Sequence, residues 1–131
     1  MRTRLALLIL LGSAAAGGAA LALDDGPRTP AAEKAAREAE AAAVKLGEST
    51  YKDLGIGAGE KSCSSCHDKK PELSLKGVVT RFPRYDDEAG KVITLQEKFM
   101  QMQTKRLKAK KILPLGDRTW TALEIYLKGL K

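Results

Sequence analysis

Cys63-Ser64-Ser65-Cys66-His67 decides how this chain is read. C-x-x-C-H is the spacing at which two thiols form thioethers with the vinyl groups of one haem, leaving the adjacent histidine placed to ligate the iron. The 131 residues contain 2 cysteines and 1 histidine, so all of the chain's soft-metal thiols and imidazole lie inside this motif. A thioredoxin-like pair would call for a strand before the motif and a βαβ pattern around it, whereas Gly55-Ile56-Gly57-Ala58-Gly59-Glu60 reads as a glycine-rich loop. A structural zinc site needs four ligands, one more than the motif offers. A plain disulfide between Cys63 and Cys66, with His67 a surface residue, is the remaining alternative.

The N-terminus has the pattern of an export signal. Arg2 and Arg4 precede the apolar run Leu5 to Leu11, a small-residue stretch follows from Gly12 to Ala20, and Ala20-Leu21-Ala22 supplies an A-x-A cleavage site before Asp24-Asp25. The apolar run is shorter than the roughly 20 residues of a spanning helix, an uncleaved anchor being the alternative, and no later segment is apolar enough to cross a bilayer. The expected organisation is a signal peptide over 1–22, an Ala/Glu/Lys-rich helix or tether over 23–46 and a haem-binding domain over 47–131.

The fold class is expected to be all-α, with no convincing strand. Pro30 to Lys45 is rich in helix formers but has no clear core stripe. Leu46, Tyr51 and Leu54 give an apolar edge to a short helix ending at Gly55. Pro71 to Asp87, with Pro71 and Pro83, reads as a loop with at most one helical turn. Thr94-Leu95-Gln96-Glu97 is a capping box, so a helix should run from Leu95 to about Lys108. A second start at Asp117 leads into Trp120, Leu123, Ile125, Tyr126, Leu127 and Leu130, the face of a packed terminal helix. Phe and Trp together number only three, a thin core that a covalently held porphyrin would fill as a large apolar body.

The run Gly47-Glu48, Tyr51, Asp53-Leu54-Gly55, Gly59 and Ser62 to His67, followed by a terminal aromatic helix, resembles the class I cytochrome c fold. More narrowly, Leu75-Lys76-Gly77, Arg81-Phe82-Pro83-Arg84-Tyr85-Asp86, Gly90, Val92-Ile93 and Leu95-Gln96-Glu97 resemble the haem domain of the A subunit of the sulfur-oxidising Sox cytochrome. The resemblance implies short helices around one covalently bound haem c, with attachment on the outer side of the cytoplasmic membrane, in keeping with a periplasmic location. It also implies a distal cysteine, followed by arginine, on the helix after Ile93, the cysteine being the group that handles thiosulfate sulfur in that family. Here the corresponding positions are Met102 and Gln103, which puts the sulfur chemistry in doubt and leaves the haem site standing.

With one histidine, bis-histidine ligation within the chain is ruled out, and the thiols are consumed by the haem. The sixth ligand is then a methionine, a lysine, the chain terminus, water or nothing. Met100 and Met102, two positions apart on a helix, point to different sides. Met102 is preferred, and the expected site is Cys63, Cys66, His67 and Met102, with the second imidazole nitrogen of His67 fixed by a backbone carbonyl, from the Pro71 loop for instance. The formal charge of +7 falls by two once Arg2 and Arg4 leave with the signal. Lys69-Lys70 and Lys105-Arg106, Lys108, Lys110-Lys111 form a basic rim suited to acidic redox partners or to a larger oxidoreductase complex, or serve only as a solubilising surface. Nucleic acid is not an expected partner. The function read from the sequence is single-electron transfer, without enzymatic activity. The alternative is the haem subunit of a Sox-like thiosulfate-oxidising complex.

Overall fold

The structure, a computed structural model, describes residues 27–130. The expected signal peptide, residues 1–22, lies outside the described residues, as do 23–26 and 131. Helix α1 spans Pro30–Lys52. Thr29 caps it, its hydroxyl accepting from Ala32 N at 3.2 Å, and Pro30 occupies the first turn, where a missing N–H costs nothing. The alanine-rich stretch and the short helix expected from Leu46 are therefore one continuous helix, and it stops at Lys52 rather than at Gly55. Asp53 turns extended, and its carboxylate caps a separate 3₁₀ turn, Leu54–Ile56, by accepting from Gly55 N at 2.7 Å.

Gly47 survives inside α1, although glycine costs about 1 kcal/mol relative to alanine in a helix, because α1 meets the terminal helix there. A Cβ at residue 47 would lie 2.1 Å from Ala122 O and 2.6 Å from Tyr126 Cβ. Tyr51, one turn on, stacks at a tilt on Tyr126 with ring centroids 5.5 Å apart.

The attachment motif forms one helical turn, α2 (Ser64–His67). Two 3₁₀ turns follow, Pro71–Leu73 and Val78–Arg81. The expectation of no strand is corrected locally: β1 (Arg84–Asp86) pairs antiparallel with β2 (Lys91–Ile93), with Tyr85 opposite Val92. Gly90, at φ 64°, supplies the left-handed residue that returns the chain. Each strand is three residues long and buries one side chain, too short for alternation to register in the sequence.

Helix α3 (Leu95–Lys105) starts at the capping box: Glu97 N donates to Thr94 Oγ1 at 3.2 Å and Thr94 N to Glu97 Oε2 at 2.7 Å. It ends three residues earlier than expected, and Lys108 adopts φ 53°. Helix α4 (Arg118–Lys128) starts where Asp117 predicts, with Thr119 N donating to its carboxylate at 2.8 Å. The described chain is mostly helical, in keeping with the expected all-α class apart from the two short strands. Its core joins Tyr51, Ile56, Val78, Leu95, Phe99, Trp120, Leu123 and Leu127.

Candidate haem site

The elements around α2 enclose a cavity of about 350 Å³, within the roughly 300–1,000 Å³ of cofactor sites. Cys63 and His67 form part of its wall, and Ile56, Leu75, Val78, Phe82, Leu95, Phe99, Leu107 and Leu123 make most of the rest apolar. Met102 also lines it, whereas Met100 is absent from its walls and packs against the core cluster. Cys66 is exposed beside the cavity, outside its lining. Three of the four expected site residues thus share one space, and the fourth stands next to it on the same helical turn.

Local hydrogen bonds hold the motif in shape. His67 N donates to Cys63 O at 3.1 Å, and Ser62 Oγ lies 2.8 Å from Ser64 Oγ and 3.0 Å from Ser65 Oγ. Burial pushes the Cys63 thiol up to about 11. The thiol is therefore neutral at physiological pH, as an apolar wall requires. Nδ1 of His67 is hydrogen-bonded to the carbonyl of Leu73, in the turn that Pro71 opens. A carbonyl only accepts, so Nδ1 carries the proton and Nε2 keeps its lone pair.

Lys98 reaches the cavity too, but its ammonium is engaged by Asp86 Oδ2 at 2.7 Å and Gln101 Oε1 at 3.0 Å. The Lys98 hydrogen bond, with Ala89 N–H second, holds the Asp86 carboxyl below its ordinary range. Tyr51 lines the cavity and donates to Asp68 Oδ1 at 2.6 Å. Burial first, and then the carboxylate of Asp68, keep its phenol well above its ordinary pKa.

Gln103 is 1% exposed, and its carboxamide is satisfied at both ends. Nε2 donates to Ile56 O at 2.9 Å and Oε1 accepts from Leu113 N at 3.0 Å. The residue that stands in place of the resembled family's arginine is a structural clamp between α3, the Leu54–Ile56 turn and the segment before α4. Sequence reading did not find this role, nor the presence of Arg81, Arg84 and Trp120 in the cavity wall, because each depends on contacts remote in sequence.

The residues present suit a haem. The walls are mostly apolar, the imidazole has a fixed tautomer, and a cysteine sits in the wall with a second one turn away. Neither the curated proteins nor the solved structures give a match. The sequence model of one family, described as SoxA/TsdA, cytochrome c domain, matches residues 47–130. That match takes in the attachment motif, the cavity and the helix crossing, and with it the chain belongs to the SoxA/TsdA cytochrome c domain family and carries a covalently bound haem c.

Proposed function

We propose that the protein is a periplasmic monohaem carrier of single electrons, with Cys63 and Cys66 as the attachment thiols and His67 and Met102 as the axial ligands. The family assignment supports a haem electron-transfer role. The observation that carries the finer reading is the division of labour on α3: Met102 faces the same cavity as His67, Met100 packs elsewhere, and the nearby lysine is committed to Asp86. When bound, the haem supplies a one-electron couple whose potential a thioether ligand raises. The residues do the rest. Leu73 O orients the imidazole of His67 and the apolar walls exclude water, and with His67 and Met102 both holding the iron, inner-sphere chemistry would be disfavoured.

Export is supported by the Arg2-to-Ala22 pattern, and the mass of the mature protein tests cleavage after Ala22. Acidic redox proteins, or an acidic subunit of a larger complex, fit the basic run from Lys105 to Lys111. A part in sulfur-compound oxidation follows from the family's name. Met102-Gln103 argues against that chemistry at this haem, so a Sox-like enzymatic role requires a partner to bring the reactive sulfur.

The deciding experiment is the near-infrared spectrum of the ferric holoprotein beside Met102→Ala and Met100→Ala. An iron–thioether band present in the parent and in Met100→Ala, and lost in Met102→Ala, is expected. A parent without the band refutes Met102 ligation and reopens the enzymatic reading.

A further inference from the structure

The last turn of α3, which carries Met102, is tied to the segment that leads into the attachment motif. Gln103 Nε2 donates to Ile56 O at 2.9 Å, and Ala58 N donates to Leu107 O at 2.9 Å. Between these two bonds lies Gly57, where a Cβ would meet Leu107 Cβ at 2.7 Å and Leu107 O at 2.7 Å. The segment is stiff in itself, since Gly57 N and Gly59 N both donate to Leu54 O, at 3.3 and 3.1 Å. On the helix side, Arg106 N and Leu107 N both donate to Met102 O, at 2.9 and 3.0 Å. Met102 therefore belongs to the same hydrogen-bonded turn as the two residues that hold the segment. Gln103 is buried, so water does not compete for its bond. The other tie on this turn, Lys105 to Glu88, is an exposed ion pair, of a kind that contributes little.

We propose that Gln103, with Gly57 and Leu107, forms a clasp that positions Met102, and that the strength of this clasp sets how long the thioether stays on the iron. The inference rests on Met102 being the sixth ligand. The Ile56–Ala58 segment runs into Cys63, which is bonded to the haem, whereas Met102 is joined to the haem by a ligand bond alone. Withdrawing the thioether far enough to admit another ligand moves the last turn of α3 away from a segment that is covalently continuous with the attached haem, and the clasp resists that movement. Gln103 touches protein backbone at both ends of its carboxamide, so it acts through Met102 as a positioning residue.

The test is ligand replacement in the ferric holoprotein, followed by stopped-flow absorbance with imidazole as the probe, for the parent, Gln103→Leu, Gly57→Ala and Gly47→Ala. At saturating imidazole the rate levels off at the rate at which the iron–thioether bond opens, and the affinity of the probe no longer enters. Loss of the buried Gln103 bond should raise that plateau about tenfold. Gly57 has φ −120°, so alanine there is opposed by Leu107 rather than by the backbone. Gly57→Ala should raise the plateau as well, and it carries the test where Gln103→Leu accumulates poorly. Gly47→Ala disturbs the α1–α4 crossing and none of the clasp contacts, and should keep a parent-like plateau even where it unfolds more easily. A parent-like plateau in either clasp variant overturns the clasp. So does a Gly47→Ala plateau as fast as theirs, because opening would then be global unfolding. A parent without the iron–thioether band overturns the Met102 assignment and the clasp with it, so the spectrum of the parent tells the two failures apart.

Discussion

Gly47 and Ala122 meet backbone to backbone where α1 crosses α4, and a Cβ at residue 47 would sit 2.1 Å from the carbonyl oxygen of Ala122. Backbone cannot yield as a flexible side chain does, so Gly47→Ala must push the helices apart. The gain in helix propensity is about 1 kcal/mol, against overpacking costs of about 1–3 kcal/mol or more. Net destabilisation is the expected outcome, read as a lower thermal midpoint of the holoprotein by circular dichroism. An unchanged or raised midpoint contradicts the crossing.

Gln103→Leu keeps the volume roughly constant and strands Ile56 O and Leu113 N inside the protein. A buried polar group left without its partner costs about 1–3 kcal/mol. Chemical denaturation of the holoprotein should show a loss of about 2–4 kcal/mol for the pair. A cost below 1 kcal/mol would mean that water replaces the carboxamide.

Tyr51→Phe removes the hydrogen bond to Asp68 and should cost about 1 kcal/mol at neutral pH. The sign of its pH dependence is fixed by a phenol whose folded pKa lies above the unfolded one. Its contribution is complete below about pH 10 and declines as pH rises further. The stability gap between parent and variant, measured by denaturant unfolding, should therefore be constant from neutral to mildly alkaline pH and narrow above about pH 10. A gap that widens there refutes the assignment.

Asp86→Asn probes the opposite limb. The carboxyl is held low by Lys98, so its contribution is present above the unfolded value of about 4 and disappears as pH falls through the folded one. Acid unfolding curves of parent and variant should converge below about pH 4. Because Lys98 lines the cavity, the variant also frees an ammonium beside the haem. A changed visible spectrum at alkaline pH in Asp86→Asn, absent from the parent, would report that release.

Much of this molecule is legible in its sequence where the signal is local. Thr94 and Glu97 are three residues apart, and their capping box forms as written. Asp117 caps α4 as read, and a carbonyl from the Pro71 turn answers His67. What escaped reading is long-range. The close approach of Gly47 to Ala122 belongs to no local pattern. Gln103 reads as a missing arginine, yet its partners are Ile56 and Leu113. Arg84-Tyr85-Asp86 and Lys91-Val92-Ile93 are too brief to show a period of two, and only their pairing makes them strands.

The contact between α1 and α4 also closes the chain on itself. It joins segments near the two ends of the described chain, so closing it costs the entropy of a long loop. During synthesis the pocket cannot be sealed until Arg118–Lys128 has emerged. Until then the cavity beside Cys63 lacks the wall that Trp120 and Leu123 complete. The helix that closes the cavity is the last to be made.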